Sequence, residues 1–191
     1  DSEIEYSDLA VKIMIDELKD LGIYDSTVIV LLADHGEFFG EHGRTTHGGS
    51  GIWEEGARIP LIIRVPGLKP AVSKCITPFT DVAPTILNLF GLDGGEHGMS
   101  GSSLVAEMVG AECDYDREIV VELRYGPRSA PNVRALVGHK WKLFMNAKKG
   151  TYKLFDLEND RGEQHNLARS NPKKTREMKE RLRAWSAFFV N

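Results

Sequence analysis

The sequence predicts an α/β fold followed by a small antiparallel β-sheet packed with a helix. Apolar residues at helical spacing between residues 6 and 21 precede the continuous apolar run of residues 28–33. This order is typical of an amphipathic helix that leads into a buried strand. Short apolar segments separated by turn residues then occupy residues 119–156, and residues 172–189 end the chain with a basic helical pattern.

The α/β part contains further residues that are typical of the ends of helices and strands. Gly22 is suited to end the first helix, because glycine readily adopts the left-handed conformation found at helix C-termini. Residues 59–65 are rich in β-branched side chains and are followed by Pro66-Gly67, so they predict a second strand.

A second helix is expected over residues 83–90. Pro84 falls in its first turn and Gly91 lies at its C-terminal end. Thr80 or Asp81 would cap its N-terminus, since short polar side chains accept hydrogen bonds from the first amides of a helix. A short helix near residues 104–108 follows.

The antiparallel part is predicted from closely spaced strands joined by turns, with hairpins at residues 138–139 and 148–150. We therefore divide the chain into an α/β part, residues 1–112, and an antiparallel sheet with its helix, residues 113–191. The four strands are expected over residues 119–123, 133–137, 141–145 and 152–156.

Composition is that of a globular chain. The 191 residues are 41% hydrophobic and 27% charged, which excludes a disordered segment. A net charge of -4 gives no electrostatic basis for binding nucleic acid, and no apolar run is long enough to span a membrane. The two cysteines do not form a disulfide framework, so they leave the compartment open.

Residues 34–37, Asp-His-Gly-Glu, form the most informative motif, because they follow the predicted strand at residues 28–33 directly. Ligands bind at the carboxyl ends of strands in open α/β sheets, and Gly36 lets the backbone turn there. A carboxylate beside an imidazole indicates a metal or anion site. In the alternative, Asp34 only begins a turn and His35 packs against it. Residues 37–56, a glycine-rich segment, are predicted to be a long functional loop.

Several motifs occur in an order and spacing that resemble the C-terminal half of the sulfatases of the alkaline phosphatase superfamily. The resemblance runs from about Tyr6 to Trp185 and implies part of an alkaline-phosphatase-like α/β sandwich in an enzyme that hydrolyses sulfate esters. The motifs lie at residues 34–43, 53–63, 66–67, 80–87, 91–92, 101–104 and 154–167.

The resemblance also implies roles for site residues. Asp34 and His35 would be ligands of a divalent metal. Calcium is expected in the family, but the histidine nitrogen suits manganese or zinc better. His47 would be catalytic, holding the anion or donating a proton to the leaving oxygen. His42 is expected to brace its loop, and Arg58 to pair with Glu54 or Glu55.

The family's nucleophile, a formylglycine made from Cys or Ser in a Cys/Ser-x-Pro/Ala-x-Arg motif, has no counterpart here. Neither Cys75 nor Cys113 lies in such a motif. We therefore expect the chain to be a fragment that is inactive alone, with the nucleophile in an N-terminal half that the sequence lacks.

Three functions remain open at this point. The first is a sulfatase acting on a small sulfate ester or a sulfated sugar. The second is a phosphonate or phosphate ester hydrolase of the same superfamily, which the Asp34-His35 pair permits equally well. The third is a non-catalytic domain. No nucleic-acid or membrane partner is expected, and a homo-oligomer is possible.

Overall fold

The computed structural model describes residues 2–46, 52–92, 98–123 and 133–188. These residues fall into two compact units. The first contains the chain up to Asp34 together with Pro60–Pro70, and the second contains His35–Ile59 and the chain from Ala71 onward. The mixture of helices, a strand pair and a separate antiparallel sheet confirms the predicted fold class. The predicted division at residues 112 and 113 stays a prediction.

In the first unit, helix α1 covers Ser2–Asp20, as the apolar spacing predicts. Gly22 ends it with a φ of 69°. The Ile23 amide donates to the Leu18 carbonyl at 3.0 Å and the Gly22 amide to the Lys19 carbonyl at 2.9 Å, the pair of bonds of a Schellman motif. Within the part of the chain that the structure describes, no helix is both long and apolar enough to cross a membrane.

Strands β1 (Ile29–Leu32) and β2 (Leu61–Arg64) pair antiparallel, with Ile29 opposite Arg64. The Arg64 guanidinium donates to the carbonyl oxygens of Tyr24 and Thr27, both at 2.9 Å. It also stacks 3.8 Å from the centroid of the Tyr24 ring. The last residue of β2 therefore fixes the turn that leads into β1.

In the second unit, the sheet has four antiparallel strands in sequence order: β3 (Ile119–Leu123), β4 (Val133–Val137), β5 (Trp141–Asn146) and β6 (Thr151–Asp156). The sequence prediction of these strands is confirmed to within one residue. Gly138 and Gly150 lie in the hairpin turns, and Gly150 has a φ of 61°. Helix α5 (Pro172–Phe188) follows.

Both faces of this sheet are covered, because side chains of alternating positions in each strand point to opposite sides. On one face, Leu143 and its neighbours pack against Met178 and Leu182 of α5. On the other face, Phe144 and Phe155 pack against side chains of the glycine-rich segment, among them Phe38 and Trp53. The sheet thus packs against the described part of the glycine-rich segment.

The glycine-rich segment is less irregular than predicted, since it contains a 3-10 turn at Glu41–Gly43 and leads into a one-turn helix, α2 (Glu54–Ala57). Further along the chain, helices α3 (Val82–Leu89) and α4 (Val105–Met108) form close to the predicted positions. Gly91 ends α3 with a φ of 73°.

The predicted capping of α3 by Asp81 is wrong. A 3-10 turn at Phe79–Asp81 precedes the helix and holds Asp81 at φ -77° and ψ -17°, whereas a capping residue needs an extended backbone. The buried Asp81 carboxylate instead pairs with Arg117 at 2.7 Å and accepts the Ser102 amide at 2.9 Å. Its role is to join three segments of the second unit.

Cys75 and Cys113 form a disulfide across a sequence separation of 38 residues. The bridge ties the segment before α3 to the segment before β3, as the Arg117–Asp81 pair also does. Structural disulfides are characteristic of proteins that fold in oxidising compartments.

Replacing both cysteines, Cys75→Ala with Cys113→Ala, is expected to lower the free energy of unfolding by about 3–4 kcal/mol, because the open chain regains the entropy of a long loop. Urea-induced unfolding of the oxidised protein and of the double variant measures the difference. A free thiol at either cysteine, detected by alkylation of the denatured protein without reductant, contradicts the pairing.

Asp81→Ala is expected to cost about 2–4 kcal/mol of stability, because it leaves the Arg117 cation and the Ser102 amide without their acceptor. Asp16→Ala is the matched control, since Asp16 pairs with Lys12 on the exposed surface of α1. Thermal unfolding checks both variants, and equal midpoints for Asp81→Ala and the natural protein contradict the anchoring role.

Candidate active site

Asp34 and His35 lie where the sequence predicts them, just after β1, and both are exposed. Asp34 is the last residue of the first unit's N-terminal segment, and His35 is the first residue of the second unit. The His35 Nδ1 atom lies 2.9 Å from the Gly36 carbonyl oxygen. Metal-binding histidines commonly donate one ring N–H to a backbone carbonyl, which directs the lone pair to the other nitrogen.

His47, the predicted catalytic residue, lies outside the described residues, as does His97. The assignment of His47 therefore stays a prediction.

Glycine is required at position 36 because the backbone of α2 lies against it, and not only because the chain turns there. The Gly36 amide donates to the Gly56 carbonyl oxygen of α2 at 3.0 Å. A Cβ atom at Gly36 would collide with the carbonyl oxygen of Glu55. The backbone of α2 thus lies directly against the residue that follows His35, and only glycine leaves room for it.

His42 and Trp53 form a stacked pair, with ring centroids 4.1 Å apart and an interplanar angle of 7°. Trp53 also stacks on Phe144, with ring centroids 5.2 Å apart, and it is only 7% exposed. His42 Nε2 lies 3.4 Å from a Glu55 carboxylate oxygen. These contacts agree with a bracing role for His42, and they make Trp53 a packing residue.

Sequence reasoning missed the buried ion pairs around Lys142, a β5 residue. Its ammonium lies 2.8 Å from Glu54 and 3.0 Å from Glu163, and the side chains of Lys142 and Glu163 are both 0% exposed. The other Glu163 oxygen accepts the Glu54 amide at 2.7 Å. A lysine between Trp141 and Leu143 in an otherwise apolar strand was the available signal.

The predicted partner of Arg58 is wrong, because Glu54 pairs with Lys142 and Glu55 with His42. Arg58 itself is exposed. A lysine from the sheet pairs with the partly exposed carboxylate of Glu54, one of the two glutamates predicted as partners of Arg58.

The carboxylates of Glu55 and Glu163 and the imidazole of His42 offer donor atoms that all lie within 4.8 Å of one another. This spacing is compatible with a metal ion. However, burial raises the pKa of Glu163 while the Lys142 ammonium opposes that rise. Because Lys142 already supplies a cation to Glu163, we assign this cluster to the structure of the glycine-rich segment.

Known proteins are similar to this chain in sequence and in fold. The sulfatase family model matches residues 1–92. A choline-sulfatase from Rhizobium meliloti (strain 1021) is 34% identical over 174 residues, which are 90% of this chain and 33% of that protein. The chain therefore spans about a third of the length of this curated relative.

Two solved structures have the same fold. One was solved in complex with its substrate D-glucosamine-2-N,6-O-disulfate. It superimposes with a TM-score of 0.81 at 24% identity, and the match covers 93% of this chain and 37% of that chain. A phosphonate monoester hydrolase from Silicibacter pomeroyi has a TM-score of 0.73 at 28% identity and covers 95% of this chain and 38% of its own. The family match over residues 1–92 and the choline-sulfatase identity thus make this chain similar to the sulfatases.

Proposed function

We propose that the protein containing this chain is a metal-dependent sulfatase, in which Asp34 and His35 are metal ligands and His47 contacts the sulfate group. The observation that carries the proposal is the position of the Asp34-His35 pair directly after β1, in a chain whose first 92 residues match the sulfatase family model. Acidic and imidazole side chains at the end of a strand provide the donors that a divalent cation requires.

The donor atoms of this pair fit a divalent metal. Asp34 contributes carboxylate oxygen, and the contact of His35 Nδ1 with the Gly36 carbonyl at 2.9 Å orients the imidazole. One oxygen and one nitrogen ligand favour manganese or zinc over calcium. When bound, the metal stabilises the negative charge on the sulfate oxygens.

The remaining chemistry would come from His47 and from a nucleophile elsewhere in the protein. His47 would hold the anion or donate a proton to the leaving oxygen. Neither cysteine of this chain can act as the nucleophile or as the precursor of formylglycine, because Cys75 and Cys113 are bonded to each other. The proposal therefore assigns formylglycine to a segment outside these 191 residues.

The proposed substrate is a small sulfate ester or a sulfated sugar. The 34% identity to a choline-sulfatase supports a sulfate ester of a small alcohol as the substrate. The net charge of -4 gives no electrostatic basis for a nucleic-acid partner. A homo-oligomer stays a prediction.

In the full-length protein, Asp34→Ala and His35→Ala are each expected to lower aryl sulfate hydrolysis about 100-fold or more, because each removes a ligand of the charge-stabilising metal. Hydrolysis of 4-nitrophenyl sulfate and Mn²⁺ titration measure both effects. His165→Ala is the matched control, since its imidazole is 80% exposed beside Asp160.

Unchanged Mn²⁺ affinity in both variants would remove Asp34 and His35 from the metal site. The isolated 191-residue chain is expected to hydrolyse no aryl sulfate. Activity of that chain that disappears on Asp34→Ala would show instead that the nucleophile lies within it.

A phosphonate ester hydrolase is the second candidate, and the 28% identical phosphonate monoester hydrolase structure favours it. We expect the full-length protein to have a higher kcat/KM for 4-nitrophenyl sulfate than for 4-nitrophenyl phenylphosphonate. The same preparation is assayed with both esters over one metal series. A reversed preference would assign the site to phosphonate esters.

A further inference from the structure

The buried pair Lys142–Glu163 connects the four-stranded sheet to the backbone beside His35. Lys142 extends from β5 on the face that packs against the glycine-rich segment, and its ammonium lies 2.8 Å from Glu54 and 3.0 Å from Glu163. Both side chains of the pair are 0% exposed, so water cannot replace either partner without rearrangement of the core.

Glu163 also fixes the start of α2. One of its carboxylate oxygens accepts the backbone amide of Glu54 at 2.7 Å, across a separation of 109 residues. The preceding Trp53 makes no side-chain capping bond, so Glu163 supplies the acceptor that the first amide of this helix needs. A one-turn helix has little stability of its own, which makes this contact important to its position.

The backbone of Glu163 indicates that the surrounding structure imposes this geometry. Its φ of 50° lies in the left-handed region, which is unfavourable for a residue with a β-carbon. Such conformations persist where other contacts determine them. Here the two contacts of the carboxylate, with Lys142 and with the Glu54 amide, fix the residue.

Helix α2 transmits this constraint to the candidate metal ligand. The Gly56 carbonyl of α2 accepts the Gly36 amide at 3.0 Å, and the Glu55 carbonyl leaves no room for a side chain at Gly36. Phe38, which is 1% exposed, closes the other side of Gly56. A displacement of α2 therefore displaces the peptide that joins His35 to Gly36.

We propose that Lys142 and Glu163 are positioning residues: they fix α2 and, through it, the backbone at Gly36 that orients His35. The inference rests on the proposed function, in which His35 binds the metal. Neither residue touches the metal or the substrate. Residues that orient a ligand in this way commonly change metal affinity by about 10–100-fold when they are replaced.

The test compares three variants of the full-length protein. Glu163→Leu removes the acceptor for the Glu54 amide, while Glu163→Gln retains an amide oxygen at that place. The double variant Lys142→Met with Glu163→Leu replaces the buried charges by apolar side chains, which commonly recovers stability. Lys140→Met is the matched surface control, because Lys140 pairs with Glu158 and is 40% exposed.

Three quantities are measured in each protein: the thermal midpoint, the amide hydrogen-exchange rate of the metal-free peptide containing Gly36, and the affinity for Mn²⁺. In Glu163→Leu we expect exchange at Gly36 to rise about 10-fold or more and Mn²⁺ affinity to fall about 10-fold or more. Glu163→Gln should stay within about 3-fold of the natural protein, because the acceptor remains. In the double variant, exchange should stay fast although the midpoint recovers.

Unchanged exchange at Gly36 in Glu163→Leu would overturn the proposal. Recovery of slow exchange together with the midpoint in the double variant would also overturn it, since the pair would then contribute stability alone. Failure of the proposed function is seen separately, as equal Mn²⁺ affinity of the natural protein and His35→Ala. In that case the metal-free exchange rates still decide whether the pair positions Gly36.

Discussion

The ammonium of Lys142 lies in the interior of the second unit, between two carboxylates from distant parts of the chain. Removing these charges from water costs several kcal/mol per ion in general, so the pairs add little to net stability. What they add is a defined partner, since the Lys142 ammonium on β5 pairs both with Glu54 and with the fully buried Glu163. The arrangement of the glycine-rich segment on the sheet depends on this constraint, because apolar contacts alone are not directional.

In the second unit, apolar packing and ion pairs have different roles. The stack of His42, Trp53 and Phe144 packs the glycine-rich segment against the sheet, while Glu54 pairs with Lys142 of β5. A second set of long-range contacts in this unit consists of the Asp81–Arg117 ion pair and the Cys75–Cys113 disulfide. Both sets of contacts join segments that are far apart in sequence.

The proposed metal ligands and the groups that support them also differ in their roles. Asp34 and His35 are exposed, whereas Lys142 and Glu163, which hold the neighbouring backbone, are buried. Sulfate and phosphonate esters present similar anionic oxygens, so the choice between them depends on the nucleophile and on the metal more than on this part of the fold.

The sequence by itself determined the local elements and the similarity to sulfatases. Helices α1 and α5 and the strands of the four-stranded sheet follow from residue periodicity, and Gly22 and Gly91 end helices where expected, because these signals act over a few residues. It also indicated Asp34 and His35, through a motif adjacent to a strand, while their metal role and that of His47 remain predictions. Only the tertiary structure decided the roles of Asp81 and Lys142. Their partners Arg117 and Glu54 lie 36 and 88 residues away, and the charge that compensates a buried side chain depends on which segments the fold brings together.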